Sequence, residues 1–175
     1  MCQCAYQWGH GGREIPGGYK TVHVKMFNNR SNEVGAETGF TQAFLQELER
    51  SGFITVTAEH SAEIIIQGTV VSITTQGGGI KQQFFDESGS IYNAPYFTTY
   101  NVIIATNLRA IRASDEKIVW QTNIRRKRDF RGGLLTKQGI RSSNVLYNHS
   151  RKKETIKLIA QDMMREAFDR LTENF

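Results

Sequence analysis

The chain has 175 residues, with 22 Lys and Arg against 17 Asp and Glu, and it is 39% apolar before its 16 glycines are counted. That size and apolar content suit one globular domain and exclude a chain disordered throughout. Two prolines, two cysteines and apolar runs of four or five residues at most exclude a proline-rich linker, a disulfide scaffold and a transmembrane helix.

Residues 1–18 are polar and glycine-rich, hold both cysteines, Cys2 and Cys4, and end in Pro16-Gly17-Gly18. They read as a flexible tether ahead of one domain over 19–175. Tyr19 to Phe27 alternates, with Val22, Val24 and Met26 on one side, which predicts a strand. The run Asn28-Asn29-Arg30-Ser31-Asn32 is turn chemistry and offers Ser or Asn caps for a following helix. Phe40, Ala43, Phe44 and Leu48 recur at helical spacing between Gly35 and Arg50, and Gly52 sits where such a helix ends.

Phe53–Thr57 predicts a short strand, and Ala62–Thr75, rich in Ile, Val and Thr, a longer one. Residues 76–95 carry Gly77-Gly78-Gly79, Asp86-Glu87, Gly89 and Pro95, and read as a long loop. Tyr96–Ala113 and Ile118–Phe130 then form a hairpin about Ser114-Asp115-Glu116-Lys117. Residues 131–149 read as a second polar loop. Ile156, Ala160, Met163, Ala167 and Leu171 mark a final helix. The order predicts an α+β single domain: a mostly antiparallel four- to five-stranded sheet with two helices packed on one face.

The positive charge is concentrated. Arg125-Arg126-Lys127-Arg128 is followed by Arg131, Lys137, Arg141, Arg151, Lys152 and Lys153, with Asp129 the only acid between Arg125 and Lys153. Such a field suits a polyanion, an anionic lipid head group or an acidic protein surface. No catalytic constellation accompanies it. The four histidines lack ligand spacing, Cys2-Gln3-Cys4 has no second ligand pair, and Gly77-Gly78-Gly79 is not followed by the Lys-Ser/Thr of a phosphate loop. The expectation is a protein that is not an enzyme and uses no metal or cofactor. Tyr92, Tyr96, Phe97 and Tyr100 cluster on one predicted strand, but no RNA-binding signature or helix-turn-helix goes with them.

Several segments in order resemble the LptE family, the lipopolysaccharide-assembly lipoproteins of Gram-negative outer membranes. Cys4-Ala5-Tyr6-Gln7-Trp8-Gly9 is similar to the start of a mature family chain. Lys20-Thr21-Val22-His23-Val24-Lys25-Met26-Phe27-Asn28-Asn29-Arg30-Ser31 is similar to its first strand, and Val34-Gly35-Ala36-Glu37 to the start of its first helix. Ala62-Glu63-Ile64-Ile65-Ile66-Gln67-Gly68 and Lys117-Ile118-Val119-Trp120 resemble later strands. Ala160 and Asp162 stand where the terminal helix often has Ala-x-Asp.

The resemblance implies a non-catalytic outer-membrane lipoprotein on the periplasmic side. It would plug and help assemble an LptD-like β-barrel and help deliver lipopolysaccharide to the outer leaflet. It implies acyl chains, palmitate among them, on Cys2 or Cys4. Cys2 is favoured because Gln3 is a poor residue before a lipidated cysteine, whereas the family pattern aligns with Cys4. Lipopolysaccharide phosphates suit Arg and Lys, and the residues expected to meet them are Lys81, Arg126, Arg128, Arg131 and Lys137, at the end where 76–95 approaches 125–141. Two other readings stand beside this one. The first is a curli-secretion or penicillin-binding-protein-activator type of envelope lipoprotein. The second is a cytoplasmic nucleic-acid-binding domain, whereas the leading reading has no nucleic-acid partner.

Overall fold

The computed structural model describes residues 14–85, 91–132 and 145–173. The chain joins the core at Ile15, which is buried and bridges to Tyr19 across the Pro16–Gly18 turn, four residues before the expected domain start. Strand β1 (Thr21–Val24) is followed by a two-residue strand β2 (Asn28–Asn29) and helix α1 (Ala36–Ser51). No Ser or Asn side chain caps α1. Gly35 does so in the left-handed region, at φ 85°, a conformation that costs glycine little. Asn29 works from a distance: its amide donates to Glu33 O and to Glu37 Oε2, each at 2.8 Å. Gly52 ends the helix, also left-handed at φ 71°.

Strand β3 (Thr55–Val56) is short. Strands β4 (Ile64–Phe85) and β5 (Ile91–Arg112) have 22 residues each, β6 (Ile118–Arg131) has 14, and helix α2 (Val145–Thr172) has 28. The sheet has the order β3-β1-β4-β5-β6, with β2 also beside β4. It has six strands and is mostly antiparallel, as expected, through the long β4–β5 and β5–β6 ladders, with short parallel pairings that make it mixed. β1 runs parallel to β3 and β4, and β2 runs parallel to β4. The cause is α1. A helical crossover returns the chain to the end where β1 began, so β3, and β4 after it, run in the direction of β1.

Residues 76–95 are not a loop. The β4–β5 ladder continues from Gly77↔Tyr100 to Phe85↔Ile91, with one irregularity at Gly78/Gly79, and only residues 86–90 of the expected excursion lie outside the described residues. Glycine weakens strand propensity but adopts the extended conformation freely, and the partner strand, rich in Thr, Tyr and Phe, supplies a continuous hydrogen-bonding edge. Likewise, residues 145–149 of the expected second loop are the start of α2.

Both helices cover one face of the sheet, as the periodicity predicts. Phe40, Phe44 and Leu48 of α1 and Ala160, Met163, Ala167 and Leu171 of α2 are buried, with Ile156 partly so. They meet Val22, Ile64, Ile66, Val102, Ile104, Leu108 and Ile124 in one core. Burying such a side chain contributes roughly 1.5–3 kcal/mol. The start of β1 is fixed by Glu63, which accepts from Lys20 N (2.9 Å), Thr21 N (3.0 Å) and Thr21 Oγ1 (3.0 Å). Those donors favour the charged carboxylate and hold its pKa below the ordinary value.

Two residues of the family-like motifs meet. Val24 pairs with Ile66 and Asn28 with Thr69, so three residues between β1 and β2 arch over two of β4. The arch lays the Phe27 ring on Gly68, where a Cβ would stand 2.4 Å from two ring carbons.

Candidate functional site

The basic run lies on β6, and strand alternation divides it. Ile124 is buried toward the helices, so Arg126 and Arg128 share that side, while Arg125, Lys127 and Arg131 project from the face that carries no helix. Arg126 is ion-paired with Glu166, and Arg128 with Asp162 at 3.1 Å. The match is geometric. Two residues along a strand span about 6.7 Å, and four along a helix about 6 Å, so Arg126/Arg128 and Glu166/Asp162 align on antiparallel elements. Arg170 extends the network to Glu166 (2.6 Å), Thr122 Oγ1 (2.9 Å) and Asn123 O (3.4 Å), and its carbonyl accepts from Trp120 Nε1 at 3.2 Å. Arg165 reaches Glu47 of α1 at 3.6 Å.

Arg125, Lys127 and Arg131 are exposed and make no ion pair among the described residues. They share the uncovered face with Arg109, which donates to Gln67 Oε1 at 2.8 Å, with other polar residues of β4 and β5, and with the half-buried Ile65, Ile103 and Ile111. Of the expected ligand-binding residues, therefore, Arg131 is free, and Arg126 and Arg128 are held by helix acids. Lys137 lies outside the described residues, as do Cys2 and Cys4.

Lys81 sits on β4 opposite Pro95, and the register separates it from the expected neighbours. Arg131 pairs with Thr99, and Thr99 with Gly78, so Lys81 is three residues beyond the level of Arg131. That is about 10 Å along the strands and about 10 Å across two strand spacings. Arg126 is aligned with Ile104 and Ile73, eight residues from Lys81, or about 26 Å. The expected closeness of Lys81 to Arg126 and Arg128 is not met, because the hairpin continues straight as strand instead of curling back as a loop.

The sequence reading missed Asp162, Glu166 and Arg170 as partners of β6. A signal for two of them was present: two acids four apart on a helix and two arginines two apart on a strand.

The protein is a two-layer α+β domain whose helices cover one sheet face and whose other face carries Arg125, Lys127 and Arg131 among polar and half-buried apolar residues. The chain belongs to LptE, the lipopolysaccharide-assembly family, whose model matches residues 19–174. Membership puts it among the lipoproteins of outer-membrane lipopolysaccharide assembly. No curated protein sequence matches the chain. Solved structures share the fold at low identity. A PelC dodecamer from Paraburkholderia phytofirmans matches at 12% identity and TM-score 0.53, over 93% of this chain and 95% of that one. A candidate neuraminyllactose-binding haemagglutinin homologue from Helicobacter pylori matches at 10% and 0.54, over 93% and 88%. A candidate lipoprotein from Caulobacter crescentus matches at 8% and 0.52, over 84% and 88%. No helix among the described residues is long and apolar enough to cross a membrane.

Proposed function

We propose that this protein is a non-catalytic outer-membrane lipoprotein, anchored on the periplasmic side through acyl chains on Cys2 or Cys4. It occupies and helps assemble an LptD-like β-barrel, and it contacts lipopolysaccharide in transit. Family membership over the whole folded domain supports the barrel partner. A wide barrel has a polar interior, which a compact domain with polar outer surfaces can fill.

The observation that carries the glycolipid contact is the division of β6. Arg126 and Arg128 are neutralised by helix acids and hold the strand to α2, while Arg125, Lys127 and Arg131, on the uncovered face, make no ion pair among the described residues. In this reading, those three meet phosphates and carboxylates by charge-assisted hydrogen bonds, together with Lys81 and Lys137. Exposed cations contribute by long-range attraction, so binding weakens with salt.

The test has two parts. A tagged chain recovered from solubilised outer membranes is expected to bring a large β-barrel with it. Purified protein is expected to bind lipopolysaccharide at low salt. The Arg125→Glu/Lys127→Glu/Arg131→Glu variant should lose that binding, and Arg126→Ala/Arg128→Ala should keep most of it. Equal binding by the triple variant, or full competition by DNA at matched charge, refutes the site. Recovery without a barrel refutes the partner.

A further inference from the structure

The two edges of the sheet are built differently. At one, β3 has two residues, too few to template another strand. At the other, β6 offers 14 residues, the long free edge among the described strands.

The backbone hydrogen bonds show which groups of β6 point outward. Arg112 N donates to Lys117 O on the β6 side, at 2.9 Å, and Ala113 N donates to Glu63 O on the β4 side, also at 2.9 Å. Even-numbered residues of β5 therefore aim their amides and carbonyls at β6. The bulges in this part of the sheet fall on β4, between Val70 and Ser72, and on β6, opposite Ala110/Ile111, so the alternation along β5 is unbroken from Arg112 to Tyr100. Their partners Thr122, Ile124, Arg126, Arg128 and Phe130 point inward. By period two, Asn123, Arg125, Lys127, Asp129 and Arg131 turn both backbone groups away from the sheet. Asn123 confirms the direction, because its carbonyl accepts from Arg170 of α2. From Arg125 onward, no described side chain caps the edge.

A groove of about 680 Å³ runs beside this edge, between β6 and α2, lined by Arg126, Lys127, Arg128, Ile159, Asp162 and Glu166 among others. Lys127 lines it although its side chain belongs to the opposite face, so the groove opens along the outer backbone of the strand. Of the outward-pointing residues from Asn123 to Arg131, Arg125, Lys127 and Arg131 carry cations that are unpaired among the described residues, and Asp129 carries the one acid. Charge then decides the occupant. A second copy paired antiparallel about Lys127 would set Lys127 against itself and Arg131 against Asn123, with Arg125–Asp129 its one pair of opposite charges, and like charges directly opposite are destabilising. An extended segment with acidic side chains places opposite charges at Arg125, Lys127 and Arg131.

We propose that the Arg125–Arg131 edge of β6 accepts an acidic, extended segment of a partner protein as an added strand. Main-chain hydrogen bonds supply the attachment, and alternate acidic side chains face Arg125, Lys127 and Arg131. The inference does not depend on the glycolipid reading, since a glycolipid offers no backbone ladder.

The probe is a synthetic peptide of alternating glutamate and valine, long enough to span Asn123–Arg131, added to the full chain and followed by residue-resolved amide hydrogen exchange. Exchange at Arg125, Lys127 and Asp129 should slow by about tenfold or more at saturation, while the inward amides of Arg126 and Arg128 stay unchanged. The same peptide N-methylated at alternate residues should lose binding. Lys127→Pro, which removes one outward donor and no ladder bond to β5, should weaken binding at least about tenfold, and Lys127→Ala should weaken it less. Uniform protection, equal binding by the N-methylated peptide, or pairing of the chain with itself in preference to the peptide overturns the proposal. If the peptide fails while lipopolysaccharide still binds, only this inference falls. If lipopolysaccharide fails while the alternate amides are protected, only the glycolipid contact falls.

Discussion

Adding one methyl group at Gly68 tests how the first motif is locked to the second. The Cβ of an alanine there would stand 2.4 Å from Cε2 and Cζ of Phe27 and 2.5 Å from Cδ2. Ordinary carbon contacts lie near 3.5–4.0 Å, so the ring must withdraw by more than about 1 Å. It has little room. Phe27 is 2% exposed and its ring centroid lies 6.4 Å from that of Phe44, itself fully buried. Its backbone is fixed as well, because Phe27 N donates to Thr41 Oγ1 at 2.9 Å. Overpacking of this kind costs about 1–3 kcal/mol, and the rigid surroundings put Gly68→Ala in the upper part of that range. For a domain of this size, about 2–3 kcal/mol lowers Tm by roughly 4–12 °C.

The decisive assay is a double-mutant cycle by urea unfolding. Phe27→Ala alone should cost about 3–5 kcal/mol through its cavity. With the ring gone, the methyl at position 68 meets open space and fills part of that cavity. The double variant should then be more stable than additivity predicts by about 1–3 kcal/mol. Additivity within about 0.5 kcal/mol, or a Gly68→Ala protein as stable as the parent, would refute the argument that the ring dictates the glycine.

Two further predictions concern the core and the start of β1. Phe44→Ala should cost about 3–5 kcal/mol in urea unfolding, because the ring is fully buried between α1 and the sheet, and an unchanged midpoint would contradict that placement. Glu63 has its folded pKa lowered by bonds from Lys20 N, Thr21 N and Thr21 Oγ1, so its stabilising contribution is complete above the unfolded pKa and is lost as pH falls through the folded one. Glu63→Gln should therefore be less stable than the parent near neutral pH, with the difference shrinking as pH drops through the carboxylate range. A gap in urea midpoint that stays constant down to about pH 2 would show that the carboxylate charge plays no part.

Periodicity alone determined both helices, the side on which each is apolar, and the hairpin about Asp115. Phe40, Ala43, Phe44 and Leu48 share one face on a helix but not on a strand, where Ala43 would turn away, and Gly52 can end the helix because glycine tolerates the left-handed conformation. The ordered motifs were also legible as a family pattern, and with them the association with lipopolysaccharide assembly. Other features depend on residues far apart in the chain. Gly77-Gly78-Gly79 has loop-like local propensity, yet the partner ladder from Tyr92 to Tyr100 keeps it extended, since pairing outweighs a preference of about 1 kcal/mol.

Which arginines are free was likewise not a local property. Alternation separates Arg125 and Lys127 from Arg126 and Arg128, but it cannot say which pair faces α2 until Ile124 is known to point into the core. Only tertiary packing sets Asp162 and Glu166 over one pair and leaves the other in water, because an ion pair requires two elements at the right height as well as two opposite charges.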